Sequence, residues 1–289
     1  MMWDRVKTNP TLYKTALTED EGDSFRWHTH ANQPHSSQVF CVSLFGALRN
    51  LCKRDSIVQQ ILGAAKLTSE ERDWTASLEY EDESLLSEFG GSQPTSIDAL
   101  LKSKNSLFCI EAKFLRDAKA GFGKCSQPKS VNGVSKCAGF FGPGSDMGTQ
   151  TNAWCRLEAW DGRRSPRTYW TLGRAYFRDS VYARQSEGET CPFNRPHFQL
   201  MRNFLFSASL AQREKKSQFG VIVVAPSKFA NSLESQITDF RNNVLQPSFG
   251  QLIQLVQYEQ IVEILMGADA SDSTELGVFL AERLNSLIH

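Results

Sequence analysis

An acidic and a basic side chain stand two positions apart in the segment 107–114, where Glu111 and Lys113 are the only charged residues. Side chains of a β-strand alternate between its faces, so both point the same way, about 6.6 Å apart along the strand. The opposite, core-facing side is formed by Phe108, Ile110, Ala112 and Phe114. An acid and a base on one face can act together on a bound molecule, although an ordinary ion pair on a solvated strand is the alternative.

A second carboxylate, Asp98, precedes Glu111 by thirteen residues and lies in another strand-forming segment, 95–101. The polar residues 102–105 between the two segments predict a hairpin, which can bring the carboxylates of Asp98 and Glu111 together. Two such carboxylates repel each other unless a positive charge lies between them, and oxygen ligands favour Mg²⁺ or Mn²⁺. Such an ion can activate water and polarise a phosphoryl oxygen, while the Lys113 ammonium orients the attacking water.

The elements that must position these residues alternate between helical and strand patterns. A mostly buried helix is predicted from Ser36 and a second from Asp55 to Leu67, followed by a three-stranded meander. The later elements are a helix over 197–216, a buried strand over 219–227, helices over 232–245 and 257–266 around a strand at 252–256, and a last helix over 273–288. This order predicts an α/β fold in which helices cover a central sheet.

Composition narrows the class of protein. The 289 residues contain 32 Lys and Arg against 32 Asp and Glu, with 40% hydrophobic residues, which is typical of a folded globular chain and argues against general disorder. No apolar run is long enough for a membrane-spanning helix and the first residues lack a signal-peptide core, so we expect a cytoplasmic protein with no membrane partner. A Walker phosphate loop and a GxSxG motif are absent, which disfavours nucleotide hydrolysis and serine-esterase chemistry.

The sequence resembles the PD-(D/E)xK nuclease superfamily, in its restriction-endonuclease-like branch. The resemblance lies in the motif of Asp98, Glu111 and Lys113, in the helix beginning SSQVFCVSLF and in the later segment FQLMRNFLFS. The resemblance implies an αβββαβ core with a mixed central sheet flanked by helices. It also implies Mg²⁺-dependent hydrolysis of phosphodiester bonds, mostly of DNA. We expect an N-terminal arm over 1–35 and a nuclease-like domain over 36–289, with a loop-rich insertion over 117–196 that is rich in cysteine, arginine and aromatic residues.

By position, the resemblance makes Asp98, Glu111 and the Ala112 carbonyl ligands of Mg²⁺ or Mn²⁺, and it makes Lys113 the residue that assists the water. Many members add another acid, for which Glu81 is the first choice and Glu79 and Glu88 are alternatives. A solvated acidic connection would explain these glutamates equally simply.

Two groups of polar residues are candidates for binding DNA. Gln199, Arg202 and Asn203 resemble the position from which related nucleases direct a glutamine toward the site, and Arg202 can contact a phosphate. Ser36, Ser37 and Gln38 begin a helix, whose amide donors favour phosphate. The alternatives are the solvated edge of a core helix for the first group and simple helix capping for the two serines.

Four cysteines of the insertion could bind Zn²⁺ or an iron–sulfur cluster, namely Cys125, Cys137, Cys155 and Cys191. They contain no CxxC pair, and seven cysteines in a chain of this size also fit reduced thiols. His28, His30 and His35 could ligate a metal or lie in a loop by chance. The insertion interleaves arginines with aromatic residues, a pattern suited to nucleic acid or to a solvated face.

We therefore predict a metal-dependent DNA endonuclease of restriction or phage-defence character. The alternatives are an exonuclease or nickase acting on single strands, and a module on a nuclease fold that binds nucleic acid or protein without cutting. A homodimer would suit double-strand cleavage, because two phosphodiester bonds need two centres.

Overall fold

The computed structural model describes residues 2–90, 94–114, 121–125, 130–131, 134–135, 155, 157, 165–182, 191–194 and 197–286. Its strands are β1 (Thr75–Glu81), β2 (Ser96–Lys102), β3 (Ser106–Ala112), β4 (Ser130–Val131), β5 (Val134–Ser135), β6 (Gln218–Ala225) and β7 (Ile253–Gln257). Five of them form one mixed sheet in the order β1-β2-β3-β6-β7, and β4 pairs with β5 in a separate hairpin. The first three strands of the large sheet are antiparallel neighbours, whereas β3, β6 and β7 run parallel.

The helices, in chain order, are α1 (Met2–Lys7), α2 (Glu19–Ser24), α3 (Ser37–Cys41), α4 (Arg54–Ala64), α5 (Tyr169–Gly173), α6 (Asp179–Tyr182), α7 (Phe198–Arg213), α8 (Ser227–Asn243), α9 (Tyr258–Met266) and α10 (Ser271–Asn285). The predicted helix from Ser36 changes to a π-helix over Val42–Gly46. Residues 2–35, which belong to the predicted N-terminal arm, contain two short helices, and Tyr13 and Ala16 are buried in the core.

Helices cover both faces of the sheet. One core packs α3, α4, α9 and α10 against the face that carries Phe108 and Ile110, and the other packs α7 and α8 against the face that carries Leu107 and Cys109. Strand β3 is therefore buried along its whole length. The predicted α/β fold with an αβββαβ core is confirmed, with α3, β1, β2, β3, α7 and β6 as its members.

The hairpin between β2 and β3 fixes the register that matters for the site. Ala99 pairs with Ile110. Asp98 precedes Ala99 and Glu111 follows Ile110, so in this antiparallel pair both lie one residue farther from the turn, at the same level of the sheet. Phe108, Ile110, Ala112 and Phe114 all belong to one core, which confirms their predicted common face. Within the described residues, no helix is both long and apolar enough to cross a membrane.

Candidate active site

Asp98 and Glu111 meet at the end of the β2–β3 hairpin. The backbone pairing of β2 with β3 ends at Ala99 and Ile110. Beyond it, the Ala112 amide donates a hydrogen bond of 2.7 Å to the Asp98 side chain, at Oδ2. Glu111 lies in β3 and its side chain is 3% exposed. The antiparallel register thus brings together the two carboxylates that the sequence suggested as a pair.

Lys113 and the Glu111 carboxylate form an ion pair. Lys113 Nζ lies 2.8 Å from Glu111 Oε1, and only 11% of the lysine side chain is exposed. Lys113 begins the chain beyond β3, and its amide donates to the Val224 carbonyl of the neighbouring strand β6. Burial of both partners makes this pair more sensitive to the loss of one member than a surface ion pair is.

Helix α7 supplies two amide side chains to the same pair. Lys113 Nζ donates to Gln199 Oε1 at 2.7 Å, and Asn203 Nδ2 donates to Glu111 Oε2 at 2.6 Å. Gln199 and Asn203 are four residues apart and share one face of the helix, as helical periodicity requires. The predicted polar positions of α7 thus reach Glu111 and Lys113.

Arg202 lies on a different side of α7 and has another partner. Its guanidinium contacts the buried Glu88 carboxylate at 3.3 Å and donates to the Thr95 hydroxyl at 2.9 Å. Glu88 also accepts from the Tyr169 hydroxyl at 2.5 Å. Glu88, one of the alternatives for the third acid, therefore belongs to a separate buried network that ties Tyr169 to α7.

The negative charge at the site is incompletely compensated. Burial raises the pKa of Asp98 well above its usual range, and the nearby charges of Glu111 and Glu79 raise it further. Hydrogen bonding by the Ala112 amide and the charge of Lys113 lower this pKa but do not offset the rise. A bound divalent cation would favour the ionised form of Asp98, so the oxygen donors and their electrostatics fit a hard metal ion.

Glu79 rather than Glu81 is the glutamate whose charge raises the pKa of Asp98. Glu79 has a φ of 46° in β1, a strained conformation for a residue other than glycine, whereas Glu81 is exposed at the end of the strand. Burial and the charges of Glu81 and Glu111 raise the pKa of Glu79 to about 7, although hydrogen bonds from Gln38 and Ser96 lower it. Glu79 Oε1 is buried and has no hydrogen-bond partner among the described residues.

The residues before and within α3 have structural contacts. Ser36 caps the helix by accepting from the Val39 amide, while Ser37 is its first residue. Gln38 is buried, accepts from the His28 amide at 2.8 Å and donates to the Arg26 carbonyl at 3.1 Å. Gln38 thus joins the N-terminal residues to Glu79, a connection that no pattern in the sequence predicted.

Other candidate metal ligands are not gathered into a site within the described part of the chain. No group of three or more His, Cys, Asp or Glu side chains there could hold a metal ion, so a cation at the active site would depend on the two carboxylates Asp98 and Glu111 together with other oxygen ligands. His28 and His30 are exposed. Cys155 and Cys191 pack against the second core, and the Cys125 amide bonds the Phe193 carbonyl, while Cys137 lies outside the described residues.

Two described arginines of the insertion contact neighbouring parts of the protein. Arg167 donates to the Ser87 carbonyl at 3.0 Å, and the Arg174 guanidinium lies 4.0 Å from the centre of the Tyr182 ring. Arg156, Arg163 and Arg164 lie outside the described residues. The predicted nucleic-acid surface of the insertion stays a prediction.

Cys41 and Tyr258 lie close enough to Asp98 and Glu111 to be affected by their charges, and no pattern in the sequence placed either residue at the site. Both are fully buried, and the charges of Asp98 and Glu111 contribute to raising the pKa of each, after burial itself. The only available signal was positional, because Tyr258 lies at the start of the predicted helix 257–266, just after the predicted strand at 252–256.

Comparison with known proteins identifies a family. The family model described as "Restriction Endonuclease associating with ARP" matches residues 5–283. No curated protein and no solved structure matches the chain.

Proposed function

Since the chain belongs to the restriction endonuclease family described as associating with ARP, we propose that it is a PD-(D/E)xK nuclease that hydrolyses phosphodiester bonds of DNA with a divalent metal. The observation that carries the proposal is the junction of Asp98, Glu111 and Lys113, with Lys113 Nζ 2.8 Å from Glu111. The role in restriction or phage defence and the association with ARP are parts of the same proposal.

In this proposal Asp98 and Glu111 hold Mg²⁺ or Mn²⁺, together with the Ala112 carbonyl. The ion, when bound, would lower the pKa of a water molecule and offset negative charge on the scissile phosphate. Glu79 replaces Glu81 as the third acid, because the charge of Glu79 raises the pKa of Asp98 while Glu81 is exposed.

The chain's own side chains orient the reactants. The Lys113 ammonium orients the attacking water and stabilises charge that develops on the phosphate. Gln199 accepts from Lys113 and Asn203 donates to Glu111, so α7 holds both groups in place. Burial of these groups strengthens their electrostatic interactions relative to those in water.

Cleavage of DNA tests the proposal directly. Purified protein is incubated with supercoiled plasmid, linear DNA and RNA in Mg²⁺, in Mn²⁺ and in chelator, beside Asp98→Asn, Glu111→Gln and Lys113→Met. We expect metal-dependent cleavage of plasmid, reduced in each variant by on the order of 100-fold or more. Cleavage of linear DNA alone would favour the exonuclease alternative.

Lys102→Met is the matched control. Lys102 lies at the far end of β2 and forms a half-buried ion pair with Glu214 at 3.1 Å. The control makes the same substitution in a comparable ion pair away from the carboxylates. Cleavage that is unchanged in Lys113→Met and Asp98→Asn, or is lost equally in Lys102→Met, would contradict the assigned roles.

A further inference from the structure

Tyr258 lies at the same edge of the sheet as the candidate active site. It is the first residue of α9 and directly follows β7, whose last residue Gln257 pairs with Ala225 of β6. One residue earlier in β6, Val224 pairs with Ala112, the last residue of β3. Because β3, β6 and β7 are parallel, their carboxyl ends meet at one edge, where open α/β sheets bind ligands.

The Tyr258 ring is held firmly among other aromatic rings. Its centre lies 4.5 Å from that of Phe40 in α3 and 6.0 Å from that of Phe114, the residue after Lys113. Tyr258 is 1% exposed. Neighbouring rings therefore fix where the hydroxyl points.

The Tyr258 hydroxyl is buried and has no hydrogen-bond partner among the described residues. Buried polar groups are almost always paired, and an unpaired one indicates a bound water or ion that the protein atoms alone do not represent. Glu79 Oε1 is a second buried atom without such a partner in the described structure. A donor and an acceptor are thus both unsatisfied around the charge of Asp98.

The ordinary pKa of a tyrosine, about 10, keeps its hydroxyl protonated at neutral pH. Burial raises the pKa of Tyr258 well above its usual value, and the charges of Asp98 and Glu111 raise it further. Tyr258 therefore serves as a hydrogen-bond donor and not as a base. Its electrostatic neighbours are the carboxylates proposed to hold the metal.

We propose that Tyr258 is a positioning residue of the metal centre, and that its hydroxyl donates a hydrogen bond to water that accompanies a divalent cation at Asp98 and Glu111. This inference rests on the proposed function. Tyr258 touches neither substrate nor the reacting bond in this role. It favours the metal-loaded state because its hydroxyl is unpaired without the cation and its water.

Tyr258→Phe separates this role from simple packing, since the variant keeps the ring and removes only the hydroxyl. Mn²⁺ affinity is measured by calorimetric titration, and the melting temperature is measured in chelator and in Mn²⁺. We expect Mn²⁺ affinity to fall by about 5- to 10-fold, the effect of one hydrogen bond. In chelator the melting temperature is expected to stay equal or rise, because the lost hydroxyl had no partner.

Tyr182→Phe is the matched control, because the Tyr182 hydroxyl is buried and donates to the Trp170 carbonyl at 2.8 Å in the other core. We expect this variant to melt at a lower temperature in chelator and to bind Mn²⁺ like the wild type. The change in melting temperature in chelator thus distinguishes the two hydroxyls: removal of a paired hydroxyl lowers it, and removal of an unpaired one does not.

Asp98→Asn tells the failure of this inference from the failure of the proposed function. Wild-type affinity for Mn²⁺ in Tyr258→Phe, with binding lost in Asp98→Asn, would overturn the role of Tyr258 and leave the metal centre intact. A lower melting temperature of Tyr258→Phe in chelator would also overturn it, because the hydroxyl would then have a protein partner. Absence of Mn²⁺ binding in the wild type would overturn both proposals.

Discussion

Replacing Glu79 by glutamine should stabilise the metal-free protein, and more so at higher pH. The pKa of Glu79 is raised from 4.5 to about 7 in the folded protein, mainly by burial. A raised carboxyl pKa means that the folded state binds more protons than the unfolded state between these values. The free energy of unfolding therefore falls as the pH rises from about 4.5 through 7, and the penalty is complete above that range.

The size of the effect follows from the pKa shift. At about 1.4 kcal/mol per pKa unit, the rise to about 7 corresponds to a penalty of about 3 kcal/mol at pH 8 and less than about 1 kcal/mol at pH 5. Glu79→Gln removes the ionisable group and with it the penalty. Its stabilisation relative to the wild type should thus be about 2 to 3 kcal/mol greater at pH 8 than at pH 5.

Urea unfolding in chelator at the two pH values measures this difference. The informative quantity is the difference in stabilisation between the two pH values. Any altered hydrogen bond to Gln38 or Ser96 changes the free energy of unfolding by nearly the same amount at both, so it cancels in this difference. Glu81→Gln, at the exposed end of the same strand, is the control and should change stability much less than Glu79→Gln does, because it removes only a charge that adds to the effect of burial on the pKa of Glu79. A pH-independent effect of Glu79→Gln, or an equal effect of Glu81→Gln, would refute the reasoning.

Two further predictions concern the buried contacts of α7. Asn203→Leu removes the donor to the buried Glu111 Oε2 and should lower the free energy of unfolding, measured by urea titration, by about 1–3 kcal/mol. The control Asn243→Leu loses a contact with the exposed Asp239 and should lower it by less than about 0.5 kcal/mol. Equal costs of the two substitutions would contradict the burial argument. Arg202→Ala leaves the buried Glu88 carboxylate without its cation and should cost about 3–5 kcal/mol, against at most about 1 kcal/mol for Arg213→Ala at the exposed pair with Asp82. A small effect of Arg202→Ala would contradict the dependence of the buried Glu88 carboxylate on this cation.

Local patterns were sufficient for much of the site. Alternation along β3 separated Phe108 and Ile110 from Glu111, because successive side chains of a strand point to opposite faces. The polar turn at 102–105 predicted the hairpin that brings Asp98 level with Glu111. Helical spacing likewise marked the polar side of α7, although it could not tell that Asn203 contacts Glu111 while Arg202 contacts Glu88.

The choice between Glu79 and Glu81 required the backbone. Ideal alternation puts both glutamates on one face of β1, so sequence alone offered no reason to prefer Glu79. The positive φ of Glu79 departs from regular strand geometry, and solvent at the strand end exposes Glu81. Burial and local conformation, which depend on neighbouring elements, decided which glutamate lies close enough to Asp98 to raise its pKa.

The sequence by itself determined the α/β order of elements and the Asp98, Glu111 and Lys113 motif, because both depend on periodicity and short-range spacing. Only the tertiary structure decided that Gln38 reaches Glu79 and that Tyr258 lies close enough to Asp98 and Glu111 to be affected by their charges. Parallel pairing of β3, β6 and β7 aligns their carboxyl ends at one edge of the sheet. Helices packed on both faces bury the side chains that lie at this edge. Such convergence is set by contacts between elements far apart along the chain, which no local pattern encodes.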